Sequence, residues 1–202
     1  MKRYIIILAA VLALTACSKS DFKETQYIDD PDYPGLPIYS EMGYNTFGAY
    51  INQKAFSYTG SANRPFYIVA DREKLTLTLY GWYNYNDNYN IEFTLPIDTS
   101  YQLGDFNSLD ILDGKTFTID TTSTTCNVKF TGSYAPVIES IYSGHITFEK
   151  VQQVIVDKTE VELVVAGKFQ FRAFTHDGNR IDVSGGRFDL GVDNSNFVNY
   201  RN

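Results

Sequence analysis

The sequence predicts an all-β fold, an antiparallel meander that forms a β-sandwich or a lipocalin-like barrel. From Asn45 onward, apolar and polar residues alternate with a period of two in nine segments, which is typical of half-buried strands. Gly, Asn and Asp residues bound these segments and supply the turns that antiparallel strands need. No convincing helical periodicity interrupts this pattern.

The candidate strands all lie in one domain, which we place at residues 45–202. They are Thr46–Asn52, Pro65–Ala70, Lys74–Tyr85, Tyr89–Pro96, Lys115–Asp120, Cys126–Gly132, Gly144–Val151, Val161–Phe174 and Arg180–Leu190. A chain of 202 residues is long enough for about one domain with its own core. A hydrophobic fraction of 44% and a charged fraction of 20% exclude wholesale disorder.

The third and fourth candidate strands are predicted to form a hairpin. Residues paired across an antiparallel ladder lie on the same face of the sheet. A three-residue loop, Asn86-Asp87-Asn88, keeps the apolar sets of both strands on one face. This loop pairs Leu79 with Leu95 across the hairpin. It also places Glu92 opposite Trp82.

The last two candidate strands are predicted to form a second hairpin, closed by the loop Thr175-His176-Asp177-Gly178. The apolar residues of the returning strand occupy odd positions up to Val183 and even positions from Phe188. Gly185-Gly186 lies where the parity changes. One inserted residue there, a β-bulge, returns both apolar sets to the core.

The N-terminus carries an export signal, which we place at residues 1–16. A basic start, Met1-Lys2-Arg3, precedes eleven apolar residues, Tyr4–Leu14, a run too short to span a bilayer and typical of a signal peptide. The run ends in Leu14-Thr15-Ala16-Cys17, which resembles the lipobox of bacterial lipoproteins. The resemblance implies cleavage before Cys17 and lipidation of its sulfur. The alternative is an ordinary secretory signal with an incidental cysteine.

Lipidation implies a lipoprotein of the cell envelope, held at the outer membrane, on its surface or its periplasmic face, by acyl chains such as palmitate. The chain has 17 basic and 24 acidic residues, and its formal charge of −7 argues against a nucleic-acid partner. Loss of Lys2 and Arg3 with the signal leaves 15 basic residues and a charge of −9. Anionic lipid does not attract such a chain, so attachment rests on the acyl groups, at about 0.8 kcal/mol per buried methylene.

Residues 17–44 are predicted to be the lipidated cysteine followed by a flexible tether. Three prolines, Pro31, Pro34 and Pro37, and the lack of hydrophobic periodicity disfavour helix and central strand. Four tyrosines indicate an alternative in which part of this segment packs on the domain; they are Tyr27, Tyr33, Tyr39 and Tyr44.

Four blocks of glycine and aromatic residues carry a further resemblance. They are Phe47–Asn52, Gly144–Phe148, Gly167–Phe171 and Gly185–Asp189. Together with the lipobox and the tether, they resemble a family of uncharacterised Bacteroidota lipoproteins over most of residues 45–190. The resemblance implies fold and export, and because the family has no established activity it carries over no catalytic residue. The aromatic segment Tyr80–Tyr89 departs from the family pattern.

The sequence predicts no enzyme activity, no metal and no cofactor. Cys126 shares parity with apolar neighbours, so we expect a buried small hydrophobe in preference to a reactive thiol. His145 alternates outward and His176 lies in a loop, so both are expected to be solvated. The sequence contains no nucleophile elbow and no phosphate-binding glycine loop.

The candidate ligand-binding site is an aromatic face formed by Tyr80 and Trp82, the single Trp of the chain. Both residues alternate with the leucines of their strand, so they point away from the core face. Aromatic rings pack on the apolar faces of sugars, and Asn84, Asn90 and Glu92 offer partners for hydroxyl groups. The favoured function is therefore a non-catalytic binding module, with glycans as the candidate ligand.

Three alternatives stay open at this point. The Trp82 face is the second buried layer of a sandwich, or it docks a partner protein in a structural or assembly lipoprotein, since Trp and Tyr anchor interfaces. The third alternative is a barrel that carries a small apolar ligand inside, which needs a cavity instead of a filled core.

Overall fold

The computed structural model describes residues 24–60, 65–71, 73–98, 103–121, 126–156 and 159–200. The predicted signal peptide, the predicted lipobox and Cys17 lie outside these residues. Cleavage and lipidation therefore stay predictions.

The all-β prediction is confirmed, because strands form almost all of the regular structure that the described residues contain. The strands are β1 (Thr46–Ile51), β2 (Lys54–Ser57), β3 (Phe66–Asp71), β4 (Lys74–Tyr83), β5 (Asp87–Pro96), β6 (Thr116–Thr118), β7 (Asn127–Thr131), β8 (Ile138–Val156), β9 (Thr159–Thr175), β10 (Arg180–Val192) and β11 (Phe197–Asn199). A 3-10 helix, Phe106–Leu112, lies between β5 and β6. No helix of the described residues is long and apolar enough to cross a membrane.

The strands form one mixed sheet that curls into a half-barrel. Its order is β6-β8-β9-β10-β1-β2-β4-β5-β7, and β3 takes the place of β2 along the first half of β4. Most neighbours are antiparallel, while β11 runs parallel to β3. An isolated parallel bridge between Ile119 and Cys126 joins the chain just after β6 to the chain just before β7. The two ends of the sheet path therefore approach each other.

The inside of the curl is filled with phenylalanine and aliphatic side chains. Phe93 lies 5.0 Å from Phe169 and 6.5 Å from Phe171 between ring centroids, and Phe148 lies 5.5 Å from Phe188. All five rings are at most 2% exposed. Each such side chain stabilises the fold by roughly 1.5–3 kcal/mol when it leaves water.

The first hairpin turns two residues earlier than predicted. Tyr83 pairs with Asp87, so the three-residue loop is 84–86, and the predicted loop at 86–88 is wrong. The first two loop residues have φ values of 50° and 64°, in the left-handed region that such a loop needs. The loop length was predicted correctly and its position was not.

The shift changes every pair in this hairpin but leaves the residues that stay paired on their predicted faces. Leu79 pairs with Ile91. Trp82 pairs with Asn88, so the predicted pairing of Trp82 with Glu92 is wrong. A shift by an even number of residues preserves the alternation of faces, so the hydrophobic pattern alone does not select the register.

The second hairpin has the predicted bulge, but its loop lies one residue later than predicted, at 176–179, because Thr175 is the last residue of β9 and Arg180 the first of β10. Phe174 pairs with Arg180 around the turn. Val183 pairs with Phe171 and Gly186 pairs with Phe169, so one extra residue lies in β10 between these pairs. This confirms the bulge, and Gly185 within it has a φ of +62°, which favours glycine.

Residues 24–44 lie against the outer face of β1 and β10. Leu36 is fully buried there. The Asp30 carboxylate pairs with the Arg187 guanidinium at 2.5 Å, and both side chains are at most 14% exposed. The same guanidinium lies 4.2 Å from the Tyr33 ring centroid. This part of the segment therefore packs on the domain.

A buried carboxylate of β10 holds the end of the same segment. Asp189 is 1% exposed and accepts hydrogen bonds from the backbone N–H groups of Met42, Gly43 and Tyr44. The Ser40 hydroxyl donates to it as well. These bonds join the N-terminal segment to the strand that carries the bulge.

Candidate functional site

Tyr80 and Trp82 lie on the outer face of β4, where they are 43% and 44% exposed. Asn90 lies opposite Tyr80 on β5, and Asn88 lies opposite Trp82. On the other side of Trp82, its neighbour is Ser57 of β2. The aromatic face predicted from parity is therefore open, and the alternative of a second buried layer is wrong for these two side chains.

The turn after β4 adds a third ring that sequence reasoning missed. Tyr85 is 68% exposed, and its φ of 64° turns it out of the alternation of the strand. Its hydroxyl lies close to Gly35 of the N-terminal segment, 2.9 Å from where a Cβ on that glycine would lie. Asn84, a predicted site residue, is exposed in the same turn. The alternation of side chains along the strand could not identify Tyr85, because it assigns this residue to the inward face.

Two shallow depressions flank the exposed rings. The first has a volume of about 200 Å³ and is lined by Ser57, Thr59, Trp82 and Tyr85. The second has a volume of about 230 Å³ and is lined by Tyr80, Asn88, Asn90, Gly132 and Ser133. Both are smaller than the roughly 300–1,000 Å³ of pockets that enclose a drug-sized molecule. Each depression suits a single ring or side group of a larger ligand.

A glycine, Gly132, shapes the second depression because its backbone lies close to that of Asn88. A Cβ on Gly132 would lie 2.5 Å from the Asn88 carbonyl oxygen, so a larger residue does not fit without movement of the chain. Asn90 is held by a hydrogen bond of 3.1 Å from its Nδ2 to the Thr131 hydroxyl. The amide side of the site is therefore positioned before any ligand arrives.

Glu92 does not lie opposite Trp82, so its predicted place in the site is wrong. It pairs with Thr78 across the hairpin and forms an ion pair of 2.7 Å with Lys129. Its position still affects the site, because burial and, next, the Glu92 charge raise the pKa of Tyr80. The Tyr80 hydroxyl stays protonated at neutral pH and keeps its proton available for a hydrogen bond.

The N-terminal segment borders the first depression. The Ser57 hydroxyl donates a hydrogen bond of 3.2 Å to the Gly35 carbonyl oxygen. Burial raises the pKa of nearby Tyr27 to about 12, an effect that a hydrogen bond with Ser57 reduces and the charge of Asp29 increases. The rim of the site is therefore made by a segment far away in sequence.

The other residues singled out from the sequence lie apart from the rings. Cys126 is fully buried, as predicted, and burial raises the pKa of its thiol to about 12. His145 is half-buried on β8 and His176 is exposed in a turn. Within the described ranges, no three His, Cys, Asp or Glu side chains are grouped closely enough to hold a metal ion.

No family model, no curated protein and no solved structure matches the chain. The resemblance to Bacteroidota lipoproteins therefore rests on the framework residues alone. Function has to be inferred from the chemistry of the surface.

Proposed function

We propose that the chain is a membrane-anchored bacterial lipoprotein that acts as a non-catalytic binding module and captures glycans on its outer aromatic face. The observation that carries the proposal is the exposure of Tyr80 and the sole Trp, Trp82, side by side on an otherwise polar face. Covering a solvent-exposed aromatic ring with an apolar surface removes the ring from water and lowers the free energy of the complex. A sugar ring offers such a surface on its C–H faces.

The polar groups around the rings suit the hydroxyl rim of a sugar. Side-chain amides both donate and accept hydrogen bonds, as hydroxyl groups do. Asn88 and Asn90 lie opposite the two rings across the hairpin. Two residues along a strand advance by about 7 Å, so an extended oligosaccharide can contact Tyr80 and Trp82 together. Asn84 and Glu92 lie near the two ends of this face and are the candidates for contacts with a longer ligand.

The proposed anchor places the binding face close to a membrane. Glu24 lies seven positions after the proposed lipidated Cys17, and a fully extended chain spans at most about 25 Å over seven steps. Glu24 is already bound to the domain, since its carbonyl oxygen accepts a hydrogen bond of 3.2 Å from Asn45 Nδ2. A lipid on Cys17 would therefore keep the domain within a short reach of the bilayer, in the cell envelope where extracellular glycans are met.

The filled interior favours surface binding over transport of an apolar ligand inside the sheet. The rings of Phe93, Phe169 and Phe171 contact one another where such a ligand would lie. A partner protein on the aromatic face is the competing function, and the experiment below separates it from glycan binding.

The test is a glycan array probed with the purified full-length chain and two variants. Trp82→Ala removes the central ring, and Tyr200→Ala is a matched control because Tyr200 is 67% exposed and does not line either depression. We expect the wild type and Tyr200→Ala to bind the same glycans equally well, and Trp82→Ala to bind them about tenfold more weakly. Identical glycan binding by wild type and Trp82→Ala would refute glycan capture on the Trp82 face, and the lack of any glycan binding by all three proteins would favour a partner protein.

A further inference from the structure

A third depression lies on the outer face across β8, β9 and β10, far from Trp82. Its volume is about 290 Å³, larger than either depression beside the rings. It is lined by Ser143, Gly144 and His145 of β8, by Gln170, Phe171 and Arg172 of β9, and by Asp182, Val183 and Ser184 of β10. We call it the β9 groove. Four strand spacings separate β4 from β9, which is about 20 Å around the curl.

The β9 groove presents hydrogen-bond donors and acceptors next to each other. Arg172 and Asp182 face each other across β9 and β10, with Nε and Oδ2 3.6 Å apart, and both side chains are more than half exposed. Arg172 donates and Asp182 accepts, while Gln170 does both. The groove therefore offers a mixed set of polar groups on a rigid, paired sheet.

An exposed aromatic pair lies next to the groove, beside Arg172 and Ser143, and is not part of its lining. Phe174 lies two residues beyond Arg172 on the same face of β9, and Tyr142 follows on β8 next to Ser143. Their ring centroids are 5.2 Å apart, and the rings are 38% and 46% exposed. The Arg180 guanidinium donates a hydrogen bond of 3.3 Å to the Tyr142 hydroxyl, which fixes the orientation of that ring.

From this arrangement we propose that the β9 groove is a second glycan-binding site, which takes one neutral sugar ring. An anionic ligand would meet the Asp182 carboxylate and a cationic ligand the Arg172 guanidinium, whereas sugar hydroxyl groups complement both. The Tyr142–Phe174 pair offers an apolar surface to the face of the ring. The volume, at the lower limit of ligand pockets, fits one ring better than a long segment.

The inference extends the proposed function, and its test separates the two sites. The only Trp of the chain is Trp82, so its fluorescence reports ligand at the first site, while calorimetry reports ligand at both. The probes are neutral hexasaccharides of glucose, mannose and N-acetylglucosamine, with hexagalacturonate as the acidic counterpart. The proteins are the full-length wild type, the single variants Trp82→Ala, Phe174→Ala and Arg172→Met, the Tyr200→Ala control, and two double variants that combine Trp82→Ala with Phe174→Ala or with Arg172→Met.

We expect Trp82→Ala to keep a binding heat with a neutral hexasaccharide, and Phe174→Ala and Arg172→Met each to weaken that binding at least about tenfold in the same background. Trp82 fluorescence in Phe174→Ala should still respond to the ligand as in wild type. Circular dichroism confirms that each variant is folded, and Arg172→Met tests the groove independently of the aromatic ring.

Three results would overturn the second site. The first is the loss of all binding heat in Trp82→Ala. The second is a binding heat in Trp82→Ala that adding Phe174→Ala or Arg172→Met leaves unchanged. The third is binding at the groove by hexagalacturonate and by no neutral hexasaccharide. If Trp82→Ala binds like wild type while Phe174→Ala binds nothing, the proposed function at the Trp82 face fails and the β9 groove stands.

Discussion

Loss of the Asp30 carboxylate is expected to destabilise the protein by about 3 kcal/mol. The ion pair of Asp30 with Arg187 is 2.5 Å long, and the Arg187 side chain is 8% exposed. In Asp30→Ala the guanidinium stays buried without its carboxylate, and breaking a buried pair in this way costs roughly 3–5 kcal/mol. We take the lower limit because Arg187 keeps its bonds to the carbonyl oxygens of Gly185 and Pro37.

The assay is urea unfolding of the full-length chain followed by circular dichroism, with the free energy taken from the midpoint and slope. A matched control is Asp182→Ala, which removes the partner of Arg172 in an ion pair whose side chains are 58% and 57% exposed. An exposed pair of this kind contributes about 0–1 kcal/mol. The control should therefore unfold close to wild type.

A double variant checks that the cost comes from the unpaired charge. Asp30→Leu combined with Arg187→Met removes both charges and keeps apolar volume, so it should recover most of the stability that Asp30→Ala loses. If Asp30→Ala unfolds within about 0.5 kcal/mol of wild type, the docking of residues 24–44 on β10 does not hold in solution.

Three further results are expected. Cys17→Ser should leave the membrane fraction at high salt, and retention there would refute the lipid anchor. In Cys17→Ser, Cys126 is the remaining thiol. Because burial raises its pKa to about 12, this thiol should react with a thiol reagent at pH 8 only after unfolding. Rapid labelling of the native protein would contradict the burial. Gly186→Ala should destabilise by about 1–3 kcal/mol in urea unfolding, since the added Cβ would lie 2.3 Å from the Phe169 carbonyl oxygen; an unchanged midpoint would contradict the close approach of β9 and β10.

The faces of the strands could be predicted from sequence because a period of two decides which side chains are buried. The register of the first hairpin could not, since a shift that preserves parity leaves the hydrophobic pattern satisfied. In the structure, the N–H of Asn84, the first residue of the loop, donates a hydrogen bond of 2.8 Å to the carbonyl oxygen of Ala55 in β2. This contact favours one register, and it comes from a four-residue strand too short to give a periodic signal.

The candidate site was predicted only in part for the same reason. Trp82 follows from parity along one strand, whereas Tyr85 depends on the left-handed turn that redirects it. The β9 groove joins Arg172 to residues of two other strands, and Asp30 meets Arg187 across 157 positions of sequence. Such pairings result from the topology of the sheet, which local patterns do not encode.

The most direct test of glycan capture on the Trp82 face is the fluorescence of that residue. With 44% of a side chain of about 250 Å² exposed, roughly 110 Å² of Trp82 faces solvent. Covering half of that area with a sugar ring contributes about 1.4 kcal/mol, or about tenfold in affinity. We predict that acrylamide quenches Trp82 in the free full-length protein, and that a neutral hexasaccharide shifts its emission to the blue and protects it. A free protein whose Trp82 already emits in the blue and resists quenching would contradict the account, as would an emission that no glycan changes.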